Sequence, residues 1–295
     1  MKSPTTPVQI RRIYVSIKRR ALSVLAGLMP GLWERRVRNP IFIIGCARSG
    51  TTILANLIGQ HRDVINWSEL NDLWDPNGFP WHRSSGETPP IWIDPVAYTA
   101  RWWRDTEPRQ REIRALFGAY QTLSGKPVIV NKTPLNTFRI PYLLQIFPAA
   151  RFIHIIRDGR AVVNSYTRKQ QYKMQTNPAA FDAAGLSSET GPLSETLAIF
   201  WQTNIDEVDR QDAALKLSEQ GMLLTCTYEA LCANPREELA AVARYMGVDP
   251  ARFDPAVYEV PLRNQNHKWR ESFTDAEAAR LTELMEPALS NKGYA

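Results

Sequence analysis

The sequence predicts an α/β fold in three layers, a central parallel sheet flanked by helices. Three observations carry this. Pro40–Gly45 (PIFIIG) is a short, apolar, β-branched run ending at Gly, and a helical pattern follows at once from Thr51 to Gln60. Three further runs, Pro127–Asn131, Arg151–Ile156 and Met222–Thr227, have the same character and each precedes helical spacing, the βαβ alternation a parallel sheet requires. The chain has 295 residues, 44% hydrophobic and 22% charged. That is enough for one sizeable core and excludes a disordered, collagen-like or coiled-coil chain.

The elements follow in order. Residues 1–39 form a basic arm. Within it Ile10, Tyr14, Ile17, Ala21, Val24 and Leu28 recur at helical spacing, with Arg11, Arg12, Lys18 and Arg19 largely off that stripe. The domain proper is 40–295. After the first strand and helix, Asp63 marks a turn, and a short strand ends near Trp67. The stretch from about Asn71 to Leu123 is rich in Pro and Trp, and six of the nine tryptophans lie in or beside it. A stretch of that length inside a compact domain is expected to be a lid or a binding insertion. Near the end, Thr274 and Glu277 make a capping box that opens a helix running to about Leu289.

Charge is unevenly placed. Residues 1–39 hold nine Lys or Arg and one acid, Glu34, so the arm is +8 and the remaining chain −2. The domain is therefore near neutral, which argues against general nucleic-acid binding. The arm has three readings: a helix packed on the domain, a basic amphipathic helix making peripheral contact with an anionic membrane surface, or a targeting segment. Pro30-Gly31 interrupts its apolar part, which argues against a cleaved secretory signal. No apolar run reaches the roughly 18–20 residues of a membrane span. Cys46, Cys226 and Cys232 are too few for a disulfide framework and lack metal-ligand spacing. The expected compartment is reducing, hence cytoplasmic, and no metal site is expected.

The chemistry concentrates in Gly45-Cys-Ala-Arg-Ser-Gly50-Thr51-Thr52, which has phosphate-loop spacing between a strand and a helix. Unpaired N–H groups of such a loop and of the first helical turn converge, and the helix dipole adds positive charge, so an anion binds there. Where an ATPase or GTPase carries Lys, this chain has Thr51, which argues against nucleoside triphosphate hydrolysis. A cation stands inside the loop instead, at Arg48.

This loop, with Asn131-Lys132-Thr133-Pro134, Arg157-Asp158-Gly159-Arg160-Ala161 and Ser165, resembles the PAPS-dependent sulfotransferases, in the form of the tyrosylprotein enzymes and many bacterial relatives. The resemblance is specific over 41–166 and looser over 222–295. It implies a P-loop-like fold with PAPS as donor, PAP as product and no metal. Arg48, Ser49, Gly50, Thr51 and Thr52 would hold the 5′-phosphosulfate, and Arg157 with Ser165, eight residues later, the 3′-phosphate. In the later part, Tyr228-Glu229-x-Leu231 would place Tyr228 near the nucleotide. Asn266-His267-Lys268-Trp269-Arg270 would bring Lys268 or Arg270 to a phosphate. Lys132 would stabilise the departing bridging oxygen.

In-line sulfuryl transfer also needs a base for the acceptor's proton. Glu69, 21 residues after Arg48, is the chosen candidate, at the offset of the catalytic Glu in the tyrosylprotein enzymes. Asp63, Asp72 and His82 compete for the role, while His61 and His154 are expected to be structural. The acceptor is a hydroxyl or amine, with a glycan or lipid-linked molecule expected first. Two other readings stay open: a phosphotransferase with an unusual loop, and a non-catalytic nucleotide-binding protein of the membrane surface.

Overall fold

A computed structural model describes residues 22, 24–38, 40–68, 107–176 and 193–294, with side chains at all of these except 107, 108 and 170–176. Its centre is one sheet of five parallel strands in the order β2-β3-β1-β4-β5. The strands are β1 (Ile41–Ile44), β2 (Val64–Asn66), β3 (Val128–Lys132), β4 (Arg151–Ile156) and β5 (Leu223–Thr227). A strand covered on both faces must be apolar at successive positions. β1 is IFII and buried throughout; β5, at the edge, has the mixed sequence LLTCT.

Alternate side chains enter opposite layers. Phe42, Ile44, Ile129 and Phe152 pack on one face against α2 (Glu107–Ser124) and α3 (Ile140–Ile146), through Ile113, Phe117, Leu143 and Ile146. Ile41, Ile43, Val130, Ile153 and Ile155 pack on the other, against α1 (Thr51–Ile58) and α7 (Pro235–Met246), with α6 (Tyr228–Ala233) between β5 and α7. Each such fully buried Ile or Phe contributes about 1.5–3 kcal/mol. A third cluster joins α4 (Gly159–Thr176), α5 (Leu193–Leu215), α8 (Asp275–Met285) and α9 (Ala288–Asn291) around Trp201.

Several expectations shift in detail. The last third of the Trp- and Pro-rich stretch is α2, a core crossover helix whose apolar face (Ile113, Phe117) is set among Arg and Glu. Both halves of the Thr274–Glu277 capping box form, but the helix does not continue to Leu289. It ends at Met285, because Pro287 lacks the N–H that would extend it, and α9 follows as a separate turn. In the arm, the described end of the expected stripe faces outward: Val24 is 65% and Leu28 72% exposed, while Leu22 and Ala26 are buried against the α2 face. Ile10, Tyr14, Ile17 and Ala21 lie outside the described residues.

The strand order places the site. From β1 the chain crosses to β2 on one side, and from β4 to β5 on the other, so the crevice at their carboxyl ends is a topological switch point. Registers of Ile43 with Lys132, Ile44 with His154 and Ile156 with Thr227 bring residues 45–52, 132, 157 and 228 out along one edge.

Candidate active site

The loop after β1 is built on two glycines. Gly45 has φ +134, and a Cβ there would sit 2.4 Å from the Ile155 carbonyl oxygen, so the loop can lie on β4 only without a side chain. Its N–H donates to Thr137 Oγ1 at 3.0 Å. Gly50, the N-cap of α1, has φ +95 and would put a Cβ 2.9 Å from the Tyr228 ring. The first N–H groups of α1 have no intrahelical acceptor and open at this edge. The buried Ser49 hydroxyl has no hydrogen-bond partner among the described residues. A cradle of free main-chain donors with an orphan hydroxyl fits an anion.

The second grip meets the first. Arg157, the residue after β4, donates from Nη1 to the Arg48 carbonyl at 3.1 Å. Arg48, at φ +77, turns its side chain so that Nε donates to Ser165 Oγ at 3.1 Å. Ser165 lies in the second turn of α4, whose first turn is capped by Asp158, with the Arg160 N–H donating to Asp158 Oδ1 at 2.9 Å. Two guanidinium groups, one hydroxyl and the start of α1 therefore gather at one crevice, where a doubly anionic ligand is matched in charge.

Arg157 is held from behind. Its Nε donates to Asn266 Oδ1 at 2.9 Å, its guanidinium lies 4.3 Å over the Tyr228 ring, and its carbonyl accepts from Trp201 Nε1 at 3.2 Å. Burial pulls the guanidinium below its ordinary pKa; the Tyr228 phenol and the Glu229 and Asp158 carboxylates pull it back. Glu229 joins these parts. Its Oε1 accepts from the Asp158 N–H at 3.1 Å and Asn266 Nδ2 at 2.5 Å, and its Oε2 from the Tyr294 hydroxyl at 2.9 Å. Burial pushes the Tyr228 phenol up to about 12, and its hydroxyl donates to the Arg263 carbonyl at 2.9 Å.

Lys132, the last residue of β3, is buried beneath α1, with Nζ donating to Thr52 Oγ1 at 2.9 Å. Its neighbour Asn131 donates to the Trp67 carbonyl at 2.7 Å and accepts from Asn136, whose Oδ1 takes two bonds from the buried Arg139. This chain of polar groups fixes Trp67, two residues before Glu69. Glu69, Asp72 and His82 lie outside the described residues.

The other sequence candidates are placed as follows. Arg160 pairs with Asp158 at 3.0 Å and lies over Trp269, and Arg270 covers Trp269 as well. Lys268 is half-buried in the 3-10 turn Asn266–Trp269, yet Asn266 is the residue of that turn bonded to Arg157. Asp63 pairs with Arg252 at 2.8 Å, and His61 bonds the Asp249 carbonyl at 2.8 Å, so both pin loops together. His154 is buried within β4. Sequence reasoning missed Glu229, Asn266 and Tyr294 as a unit. The adjacency of Glu229 to Tyr228 was its one local signal.

The model of the sulfotransferase family matches residues 40–253, from the start of β1 to beyond α7. The chain belongs to the sulfotransferase family. Relatives include the Mycobacterium tuberculosis omega-hydroxy-beta-dihydromenaquinone-9 sulfotransferase Stf3, 25% identical over 274 residues, covering 74% of this chain and 68% of Stf3. Protein-tyrosine sulfotransferase 1 of Danio rerio is 27% identical over 212 residues, covering 70% of this chain and 53% of that protein. Among solved structures, sulfotransferase STF9 of Mycobacterium avium superposes with a TM-score of 0.61 at 16% identity, covering 98% of this chain and 87% of that one. That likeness confirms the sulfotransferase fold, with its parallel sheet and phosphate-type loop.

Proposed function

We propose that this sulfotransferase moves a sulfuryl group from PAPS to a hydroxyl of a lipid-linked acceptor. The convergence of Arg48, Ser165 and Arg157 carries the donor reading. Arg157 bonds the backbone of the very residue whose side chain bonds Ser165, so both ends of one bis-anionic nucleotide fall within reach of a single cluster. PAPS, when bound, supplies an activated sulfuryl group on a good leaving oxygen.

This chain's residues supply position and charge. The loop amides from Gly50 to Thr52, with Arg48, hold the phosphosulfate end, and Ser49 Oγ gains the partner it lacks. Arg157 and Ser165 hold the 3′-phosphate, with Lys268 as a further cation and Tyr228 beneath. Lys132 offers its ammonium to the bridging oxygen as negative charge grows there. Glu69 takes the acceptor's proton; support comes from the fixed position of Trp67 beside Asn131, one residue before Lys132. A lipid-linked acceptor is supported by the similarity to Stf3, whose name gives an omega-hydroxy-beta-dihydromenaquinone as the molecule it acts on.

Thermal melting with PAP, PAPS, ATP and GTP tests the donor. Several degrees of stabilisation by PAP without metal, lost in Arg157→Ala, is the expected result. Stabilisation by ATP with Mg²⁺ that survives Arg157→Ala would overturn it in favour of a phosphotransferase. Retention of all activity in Glu69→Gln would overturn the assigned base.

A further inference from the structure

The arm leaves an apolar face uncovered. Leu22 and Ala26 are buried against the α2 layer, but Val24 (65%), Leu28 (72%), Met29 (54%) and Leu32 (40%) are exposed within nine residues. Four large apolar side chains so close together are more than scattered surface hydrophobics require. Arg35, Arg36 and Arg38 follow, all exposed. The one acid of the first 39 residues, Glu34, is turned away: it pairs with Arg111 at 3.2 Å and Arg114 at 3.7 Å of α2. The uncovered face therefore carries apolar groups and positive charge with no opposing carboxylate from its own segment.

Its place in the fold matters too. The arm runs along α2 from Arg38, whose N–H bonds Gln121, back to Glu34 beside Arg114 and Arg111. Gln121 also bonds Pro127, at the amino end of β3, while Trp67 past the carboxyl end of β2 packs on Phe117 and Tyr120. Moving from Gln121 to Arg111 thus leads toward the carboxyl edge of the sheet, the edge that holds the nucleotide crevice.

We propose that the face formed by Val24, Leu28, Met29 and Leu32, flanked by Arg35 and Arg36, docks the enzyme on the surface of an anionic bilayer. The apolar side chains enter the boundary between headgroups and acyl chains, and the arginines meet the negative surface. The docking stands on this face alone. That it serves delivery of a lipid-linked acceptor rests on the function proposed above.

The test is sedimentation of the full chain with vesicles of phosphatidylcholine, with and without phosphatidylglycerol. Three proteins are compared: wild type, the combined Val24→Ser/Leu28→Ser/Met29→Ser/Leu32→Ser variant, and Arg35→Glu/Arg36→Glu. Wild type is expected to sediment with the anionic vesicles, and each variant to bind about tenfold or more weakly. The melting shift with PAP should stay unchanged in both variants, which separates this result from failure of the donor reading. Equal sedimentation of all three proteins, or none by wild type, would overturn the proposal. So would a wild-type dimer in light scattering that the serine variant converts to monomer, since a second copy would then cover the face.

Discussion

Arg48 Nε donates to Ser165 Oγ across 3.1 Å, joining the loop after β1 to the helix after β4. The two residues are 117 positions apart, and the bond exists because β1 and β4 are parallel neighbours whose following segments share one edge. If both serve one anionic ligand, their contributions are coupled. Arg48→Ala and Ser165→Ala are each expected to weaken PAP binding, by about one to two orders of magnitude for the arginine, which gives up a charge-assisted bond. In a double-mutant cycle by calorimetry the losses should be less than additive. Strict additivity would mean that the two side chains serve separate sites.

Acid stability should depend on His154. Burial, and to a smaller extent the charge of Lys292, holds this imidazole neutral, with its pKa lowered from 6.5 to about 3. Its Nε2 is buried without a partner among the described residues. The unfolded chain takes up a proton below pH 6.5, whereas the folded chain refuses it until about pH 3. Stability is therefore lost as pH falls through that window, by up to about 1.4 kcal/mol per pH unit from this group. Urea unfolding between pH 4.5 and 7.5 should show a shallower slope for His154→Leu than for wild type, by close to one proton. Parallel slopes would place the titrating group elsewhere.

What was legible in the sequence is what is local. The strand–loop–helix at 41–58 declares itself within twenty residues, through an apolar run, two glycines and a helical pattern. Arg157 and Ser165 lie on one strand end and the helix that follows it, so their spacing survives folding. The contact of Arg157 with the Arg48 carbonyl spans 109 positions and that with Asn266 another 109, and nothing in either local sequence marks the partner. Glu229 reads locally as an ordinary acid in the first turn of a helix. Only the fold shows it satisfying Asp158, Asn266 and Tyr294 together. In the arm the helical period was legible but its inward face was not. Small Ala26 is what lets the chain approach the core, and larger Leu28 is what the spacing favoured.

Glu229 should act as a positioning residue. It touches neither loop nor crevice cation directly, yet it fixes Asn266, which holds Arg157 Nε. Glu229→Gln keeps the volume but sets an amide N–H against donors that need an acceptor. The donor KM is expected to rise by about tenfold, the cost of one disrupted hydrogen bond to a charged group, with kcat changed far less. Asn266→Ala should give the same split. A purely structural role would instead lower the melting temperature and leave the donor KM of the folded fraction unchanged.

Lys132 gives the opposite signature. It lies 1% exposed under α1, bonded to Thr52 Oγ1 at 2.9 Å, a position from which an ammonium meets charge that develops only as the bond to the leaving oxygen breaks. Lys132→Met preserves most of the buried volume and removes the charge. Its expected effect is a fall in kcat of about 10²- to 10³-fold, the loss typical of one preorganised donor to a developing anion. The affinity for PAP, measured separately by melting or calorimetry, should change only a few-fold. If affinity falls as far as kcat, Lys132 binds the ground state and some other group must meet the leaving oxygen. Arg48, the cation carried by the loop itself, is then the residue to test.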